Sequence, residues 1–262
     1  MQKRFFFPGP CKSGTTFLYN YLKKAENISV IGEKETYFYK ADANTCERRL
    51  KNYQEDEIIA AFDHNAIFDY QDLTNLKKLG FELIIPVRDP IEQIISRAQH
   101  DLRVGLFSIV DFAEATSLNH LDERIRYRSD YLGMLQSIEN TGISAHFIDF
   151  VNLKNQNKLE TSLEKIFGVN PIVNYKSIKN RNSSHTLRFK WIVKLLRSYV
   201  RPALYRIGLG MLWSSGKQSF IVRFFKTKSD ENENVKAIIL KNEDFSNLLH
   251  RHNKFLERIT LK

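Results

Sequence analysis

The sequence has little cysteine and no long apolar run. Only two of its 262 residues are cysteines, Cys11 and Cys46, too few for the disulfide framework of a small secreted protein. No run of about 18 apolar residues is present to span a membrane. Residues 1 to 4 lead into a strand-like segment without the pattern of a signal peptide. These absences predict a reducing compartment, and we expect a cytoplasmic location.

Acidic residues are missing from one segment, residues 185–228. The whole chain has 40 basic and 30 acidic residues, for a net charge of +10. The segment contains no Asp or Glu but has ten basic residues, at positions 188, 190, 194, 197, 201, 206, 217, 223, 226 and 228. Without those ten, 30 basic residues face 30 acidic ones, so the entire charge excess lies in this segment.

The basic segment opens with a predicted amphipathic helix. Lys190, Lys194, Arg197 and Arg201 share one face, and Pro202 ends the helix. Three interpretations stay open: packing on the protein's own domain, docking on an anionic membrane at its inner face, or binding of a polyanionic acceptor. No nucleic-acid-binding motif accompanies the charge, so we expect no nucleic-acid partner.

Residues 4–22 combine a strand, a Gly/Pro turn and a helix start. Phe5–Phe7 have the bulk and β propensity of a buried strand. After the turn, apolar residues recur at helical spacing from about Thr15 or Thr16. Free backbone N–H groups and the helix dipole make such a helix start an anion site. We therefore predict binding of a phosphate-like group at residues 12–16.

The loop departs from a nucleotide-hydrolysing P-loop in the position of its lysine. Gly9 and Gly14 have the P-loop spacing, but Thr15 occupies the position that is Lys in GxxxxGK. The nearby lysine, Lys12, precedes Gly14 instead. A P-loop nucleotide-dependent kinase is therefore our alternative interpretation.

With its displaced lysine, the loop resembles the 5′-phosphosulfate loop of sulfotransferases that use 3′-phosphoadenosine 5′-phosphosulfate (PAPS). The matching residues are Pro10, Lys12, Ser13, Gly14, Thr15 and Thr16. The resemblance implies that the loop holds the 5′-phosphate and that Lys12 neutralises charge on the leaving phosphate. The resemblance also implies that no metal is needed and that 3′-phosphoadenosine 5′-phosphate (PAP) is the product.

A second motif follows the predicted strand Phe81–Val87. Arg88 and Pro90 lie in a turn before a predicted helix, and Ser96 follows Arg88 by eight residues. This spacing resembles the 3′-phosphate motif of the same family, and it implies that Arg88 and Ser96 bind the nucleotide's 3′-phosphate. An arginine can also hold a phosphate in a two-pronged fork.

At two further positions the sequence resembles the carbohydrate (glycosaminoglycan-type) O-sulfotransferases, including bacterial-like members. Glu35, followed by aromatic residues, stands where that group has its general base, although Glu33 is an alternative. His64 stands where the group has a lysine near the reaction centre, and Ala66 replaces its proline. The resemblance implies a carbohydrate or glycolipid acceptor and catalytic roles for Glu35 and His64.

The order of strand-like and helix-like segments predicts an α/β fold: a P-loop-like three-layer α/β/α arrangement with a mostly parallel central sheet. We predict one sulfotransferase domain over residues 1–262, with a basic amphipathic helical insertion at about 185–228. Further predicted elements are helices at 71–80, 159–169 and 243–260 and a strand at 145–151. Ligands should bind at the carboxyl ends of the strands.

Overall fold

A computed structural model describes residues 2–32, 34, 43–63, 70–103, 130–173, 186–187, 226–227 and 243–259. Contacts divide the chain into two compact units. The first comprises Met1–Gln93, Arg126–Asn180 and Asn247–Lys262, and the second comprises Ile94–Ile125 and Arg181–Ser246. The central sheet, both of the cores described below and the loop at residues 8–16 belong to the first unit.

The first unit is built on a five-stranded parallel sheet. Its strands are β1 (Lys3–Phe7), β2 (Ser29–Val30), β3 (Ile58–Phe62), β4 (Phe81–Val87) and β5 (Ala145–Asp149). Their order across the sheet is β2-β3-β1-β4-β5, and each neighbouring pair is parallel. The first strand in the chain therefore lies in the middle of the sheet. The predicted α/β class with a parallel sheet is confirmed.

The phenylalanine run of β1 supplies both faces of this sheet. Because successive side chains of a strand point to opposite faces, Phe5 and Phe7 enter one core and Phe6 enters the other. All three are at most 1% exposed. Phe7 also stacks on Phe62 of β3, with ring centroids 4.3 Å apart. A strand that is buried on both faces accounts for a continuous apolar sequence.

Two helices cover the face that receives Phe5 and Phe7. Helix α1 (Thr15–Leu22) follows the loop after β1, and α6 (Gln156–Phe167) follows β5. Leu18 and Leu22 of α1 pack in the same core as Leu159 and Leu163 of α6. For α6, the predicted stop at Gly168 is confirmed, because Gly168 caps the helix in the left-handed conformation.

Further helices cover the opposite face. They are α2 (Ala43–Lys51), α3 (Tyr70–Lys78), α5 (Tyr131–Thr141) and the C-terminal α7 (Glu243–Arg258). The fully buried Phe255 of α7 lies in the same core as Tyr131 of α5, with their rings 5.3 Å apart. Arg251 of α7 also forms a two-pronged ion pair with Asp130, which caps α5. The predicted helices at 71–80 and 243–260 are thus confirmed to within two residues.

The predicted strand at 145–151 is shorter than expected. β5 ends at Asp149, whose carboxylate accepts a hydrogen bond from the N–H of Val151 at 2.9 Å. That bond caps a 3₁₀ helix, Phe150–Lys154. The chain therefore bends away from the strand direction at Phe150, and this places Phe150 and Leu153 near the loop after β1.

In the second unit, the structure describes a short pair of strands and the first helix that follows β4. This helix, α4 (Pro90–Arg103), begins at Pro90 as predicted and continues into the second unit. The strands β6 (Thr186–Leu187) and β7 (Lys226–Thr227) pair antiparallel. They lie close to the two ends of the basic segment 185–228, so these ends are neighbours in space. The predicted helix within that segment lies outside the described residues, and the single-domain organisation stays a prediction.

Candidate functional site

The candidate site lies where β1 and β4 end. After β1 the chain continues to strands on one side of the sheet, and after β4 it continues to β5 on the other side. Loops that leave neighbouring parallel strands in opposite directions open a crevice at the strands' carboxyl ends, where open α/β sheets bind ligands. The loop 8–16 and the turn at Arg88 both lie at this point.

Close packing sets the start of the loop. A Cβ atom on Gly9 would lie 2.6 Å from Cδ of Pro86, so only glycine fits there without a shift. The position of Pro86 explains how a proline is tolerated in a central strand. Leu83 N–H donates to Ser144 O on the β5 side, so by alternation the nitrogen of Pro86 faces the β1 side. There β1 has already ended, and no strand hydrogen bond is lost.

The loop ends at the N-terminus of α1. Gly14 occupies the position before the helix with φ of 100°, and a Cβ there would lie 2.4 Å from Leu153 Cδ1. Ser13 is fully buried and its Oγ donates to Pro10 O at 2.6 Å. Among the described residues, none accepts a hydrogen bond from the backbone N–H of Thr15 or Thr16. The arrangement leaves these donors for an anion.

Lys12 has a left-handed backbone conformation, with φ of 70°. A residue other than glycine in this region costs on the order of 1 kcal/mol or more, and it persists only where the surroundings hold it. Strain of this kind is common at functional sites. This conformation could not be predicted from the sequence, because lysine is not a residue typical of it.

Arg88 joins the turn after β4 to the loop. Its Nη1 donates to Lys12 O at 2.9 Å, and its guanidinium carbon lies 4.6 Å from the centre of the Phe150 ring. Burial lowers the pKa of Arg88 below its usual value, and the nearby Glu92 opposes that shift. The group nevertheless remains a cation at neutral pH. The structure therefore joins the side chain of Arg88 to the backbone of Lys12, and both residues are predicted to bind anions.

The Asp89 side chain caps helix α4. Its carboxylate accepts a hydrogen bond from Glu92 N–H at 2.8 Å and caps α4. Its carbonyl also accepts from Gln93 N–H at 2.9 Å. Gln93 is 2% exposed, and its Nε2 donates to Cys11 O at 2.9 Å. The turn thus contacts two successive carbonyls of the loop.

Behind the turn, Tyr131 holds the backbone of Arg88. The Tyr131 hydroxyl accepts a hydrogen bond from Arg88 N–H at 3.1 Å. Burial raises the pKa of Tyr131, so the hydroxyl keeps its proton at neutral pH. His252 packs on Tyr131 with ring centroids 5.3 Å apart. Its Nδ1 is buried and bonds no other described group.

The predicted site residues divide into three groups. The structure brings one group together at the carboxyl ends of β1 and β4: Lys12, Ser13, Gly14, Thr15, Thr16 and Arg88. Ser96 lies on α4 in the second unit, and its predicted role beside Arg88 stays a prediction. The predicted general base Glu35, its alternative Glu33, and His64 lie outside the described residues.

Sequence reasoning missed Gln93 and Phe150. Gln93 bonds a residue 82 positions away, and no local pattern indicates such a partner. Phe150 lies beneath Gly14, with its Cε2 3.1 Å from the position of a Cβ there, and beneath Arg88. It was predicted only as a strand residue.

In the described parts of the chain, no group of three or more His, Cys, Asp and Glu side chains is placed to hold a metal ion. Of the helices that the structure describes, none combines the length and apolar character of a membrane span.

Known proteins resemble this chain in fold. No protein-family model and no curated protein matches the sequence. Among solved structures, the crystal structure of a sulfotransferase from Alicyclobacillus acidocaldarius matches with a TM-score of 0.55 at 16% identity. The match covers 81% of this chain and 96% of that chain. The chain has the fold of a solved sulfotransferase. The predicted P-loop-like α/β class is thereby confirmed.

We expect acid to destabilise the protein through His252. Burial lowers the pKa of His252, and the charge of Asp89 only partly opposes this. Because the unfolded pKa of about 6.5 is the higher one, the unfolded chain takes up the proton first. The stabilisation is complete above about pH 6.5 and is lost as the pH falls through the folded pKa.

Melting temperatures at pH 7.5 and 5.5 test this expectation. His252→Gln should show a smaller loss on acidification than the wild type. The matched control is His250→Gln on the exposed side of the same helix, which should keep the full loss. Equal losses in all three proteins would contradict the assignment to His252.

Proposed function

We propose that this protein is a PAPS-dependent O-sulfotransferase. It transfers a sulfuryl group from PAPS to a hydroxyl of an acceptor and releases PAP. The observation that carries the proposal is the 2.9 Å bond between Arg88 Nη1 and Lys12 O, since it joins both anion-binding motifs in one crevice. The fold shared with a solved sulfotransferase supports the same conclusion.

The chemistry of the crevice fits a nucleotide with an anionic group at each end of its ribose. The loop offers the N–H groups at the start of α1 and the ammonium of Lys12 to the 5′-phosphosulfate. Arg88 offers a cationic fork to the 3′-phosphate, with Ser96 as its proposed partner. Gly14 lets the backbone of the loop pack against Leu153, because a side chain there would clash with it.

The proposed reaction is an in-line displacement at sulfur. Glu35 takes the proton from the acceptor hydroxyl, whose oxygen then forms a bond to sulfur. The bond between sulfur and the bridging oxygen breaks, and its electron pair remains on the 5′-phosphate of PAP. Lys12 stabilises that growing negative charge, which is the main task that the transition state presents. The scheme uses no metal ion.

The acceptor that we propose is a carbohydrate or a glycolipid. The motif around Glu35 and the position of His64 are the features that support it. The basic segment 185–228 is a candidate surface for an acidic acceptor or for an anionic membrane.

The kinase alternative is not favoured. The position that carries the phosphate-binding lysine in a P-loop is Thr15 here, and Thr15 is 4% exposed. A buried threonine supplies no charge to a nucleotide's β- and γ-phosphates. The lysine of this loop, Lys12, stands two residues before Gly14 instead.

We expect PAP to stabilise the protein without Mg²⁺. A ligand present at 100 times its dissociation constant stabilises the folded state by about 2.7 kcal/mol, which corresponds to a rise in melting temperature of roughly 5–10 °C for a chain of this size. A thermal-shift assay with PAP in EDTA measures it. Stabilisation by ATP with Mg²⁺, and none by PAP, would replace the proposal with the kinase.

We expect Lys12→Ala to lower kcat by about 100- to 1000-fold, because one charge-stabilising group of the transition state is lost. Transfer of radiolabelled sulfate from PAPS to cell glycans and lipids measures the rate. The matched control is Lys24→Ala, an exposed lysine just beyond the other end of α1, which should keep wild-type turnover. Equal rates for the two variants would remove Lys12 from the mechanism.

We expect Glu35→Gln to keep PAP binding and to lose about 100- to 10,000-fold in kcat, the usual contribution of a general base. Glu33→Gln is the matched control, two residues away with the same change of charge. The pair is measured in the same transfer assay. Should Glu33→Gln show the loss instead, Glu33 is the base.

A further inference from the structure

We propose that Gln93 is a positioning residue. It holds the loop at residues 8–16, which we call the anion loop, in the conformation needed for transfer. The inference rests on the proposed function, since the shape in question is the one that presents Lys12 to the leaving phosphate. Together, Arg88 and Gln93 form what we call the carbonyl clamp. It consists of two side chains from the β4–α4 turn that hold two successive carbonyls of the loop.

The clamp consists of two hydrogen bonds. Gln93 Nε2 donates to Cys11 O and Arg88 Nη1 donates to Lys12 O, each at 2.9 Å. Gln93 itself is fixed at the start of α4, because its N–H donates to the Asp89 carbonyl at 2.9 Å. The clamp therefore reaches the loop from a capped helix start that does not depend on the loop.

Holding a carbonyl also fixes the N–H of the same peptide. In a planar trans peptide the two groups point in opposite directions. The Cys11 carbonyl thus sets the direction of the Lys12 N–H, and the Lys12 carbonyl sets that of Ser13. The Ser13 N–H correspondingly donates to Pro10 O at 3.2 Å. With both flanking peptides held, Lys12 keeps its left-handed φ of 70°.

Packing alone does not explain a glutamine at this position. A buried amide is unfavourable unless it is hydrogen-bonded, and an apolar side chain of equal length would fill the space without that requirement. The amide of Gln93 donates a hydrogen bond to the carbonyl of Cys11 in the loop. This bond joins Gln93 to the loop that carries Lys12.

Gln93→Met tests the proposal, since methionine keeps the length and removes the donor. We expect the kcat of transfer to fall at least 10-fold with a smaller change in the KM for PAPS. We also expect alkylation of Cys11 by iodoacetamide to accelerate about 10-fold. Cys11 is partly exposed and Cys46 is buried, so labelling reports on the loop. The control is Gln136→Met on the exposed face of α5, with both values unchanged.

A second variant keeps the test valid if methionine impairs folding. In Gln93→Glu, the carboxylate cannot donate to Cys11 O, but the protonated acid can. We expect its labelling rate, divided by that of the wild type at the same pH, to fall towards one as the pH is lowered. A ratio of one at every pH, with wild-type kcat, would overturn the role of Gln93.

The outcomes separate this inference from the proposed function. Labelling of Cys11 needs neither PAPS nor turnover. Faster labelling in the variants of a protein that does not bind PAP would support the clamp and refute the sulfotransferase. PAP binding and turnover in the wild type, with unaltered labelling and kcat in Gln93→Met, would support the sulfotransferase and refute the clamp.

Discussion

The bond between the Arg88 guanidinium and the Lys12 carbonyl is the contact on which the site depends. It joins the loop after β1 to the turn after β4. At this point the chain continues from the two strands to opposite sides of the sheet. A charged donor makes a stronger hydrogen bond than a neutral one, and this guanidinium is partly withdrawn from water over Phe150. One cation thereby orients the loop and remains placed to meet an anion.

The space around this contact is set by small and rigid residues. Gly9 packs against Pro86, and Gly14 leaves no room for a Cβ beside Leu153. These contacts bring the backbone of the loop against the ends of β4 and of the 3₁₀ helix. Without side chains at those two positions, the loop forms the wall of the crevice instead of projecting into solvent.

Local sequence patterns were enough to predict the architecture. Short-range patterns predict several elements on their own. Examples are the Phe5–Phe7 run, the turn before α1, the strand Phe81–Val87 and the helix end at Gly168. The crevice could be predicted to the same extent, because the order of strands in an α/β sheet determines where loops converge.

Long-range contacts were not predictable in this way. The bond of Gln93 to Cys11 and the position of Phe150 under Gly14 depend on the register of β1, β4 and β5. Register follows from the packing of a whole sheet rather than from any single segment. The left-handed Lys12 belongs to the same class, since the residues that bond its carbonyl and the carbonyl before it lie far away in the chain.

The central place of β1 has a consequence for how the protein is made. The loop after β1 precedes the residues that surround it in the chain, because its walls come from Pro86, Arg88, Gln93, Phe150 and Leu153. β1 itself gains its neighbours only when β3 and β4 have emerged. The loop therefore acquires its complete surroundings only after the segment that ends at Leu153 has been synthesised.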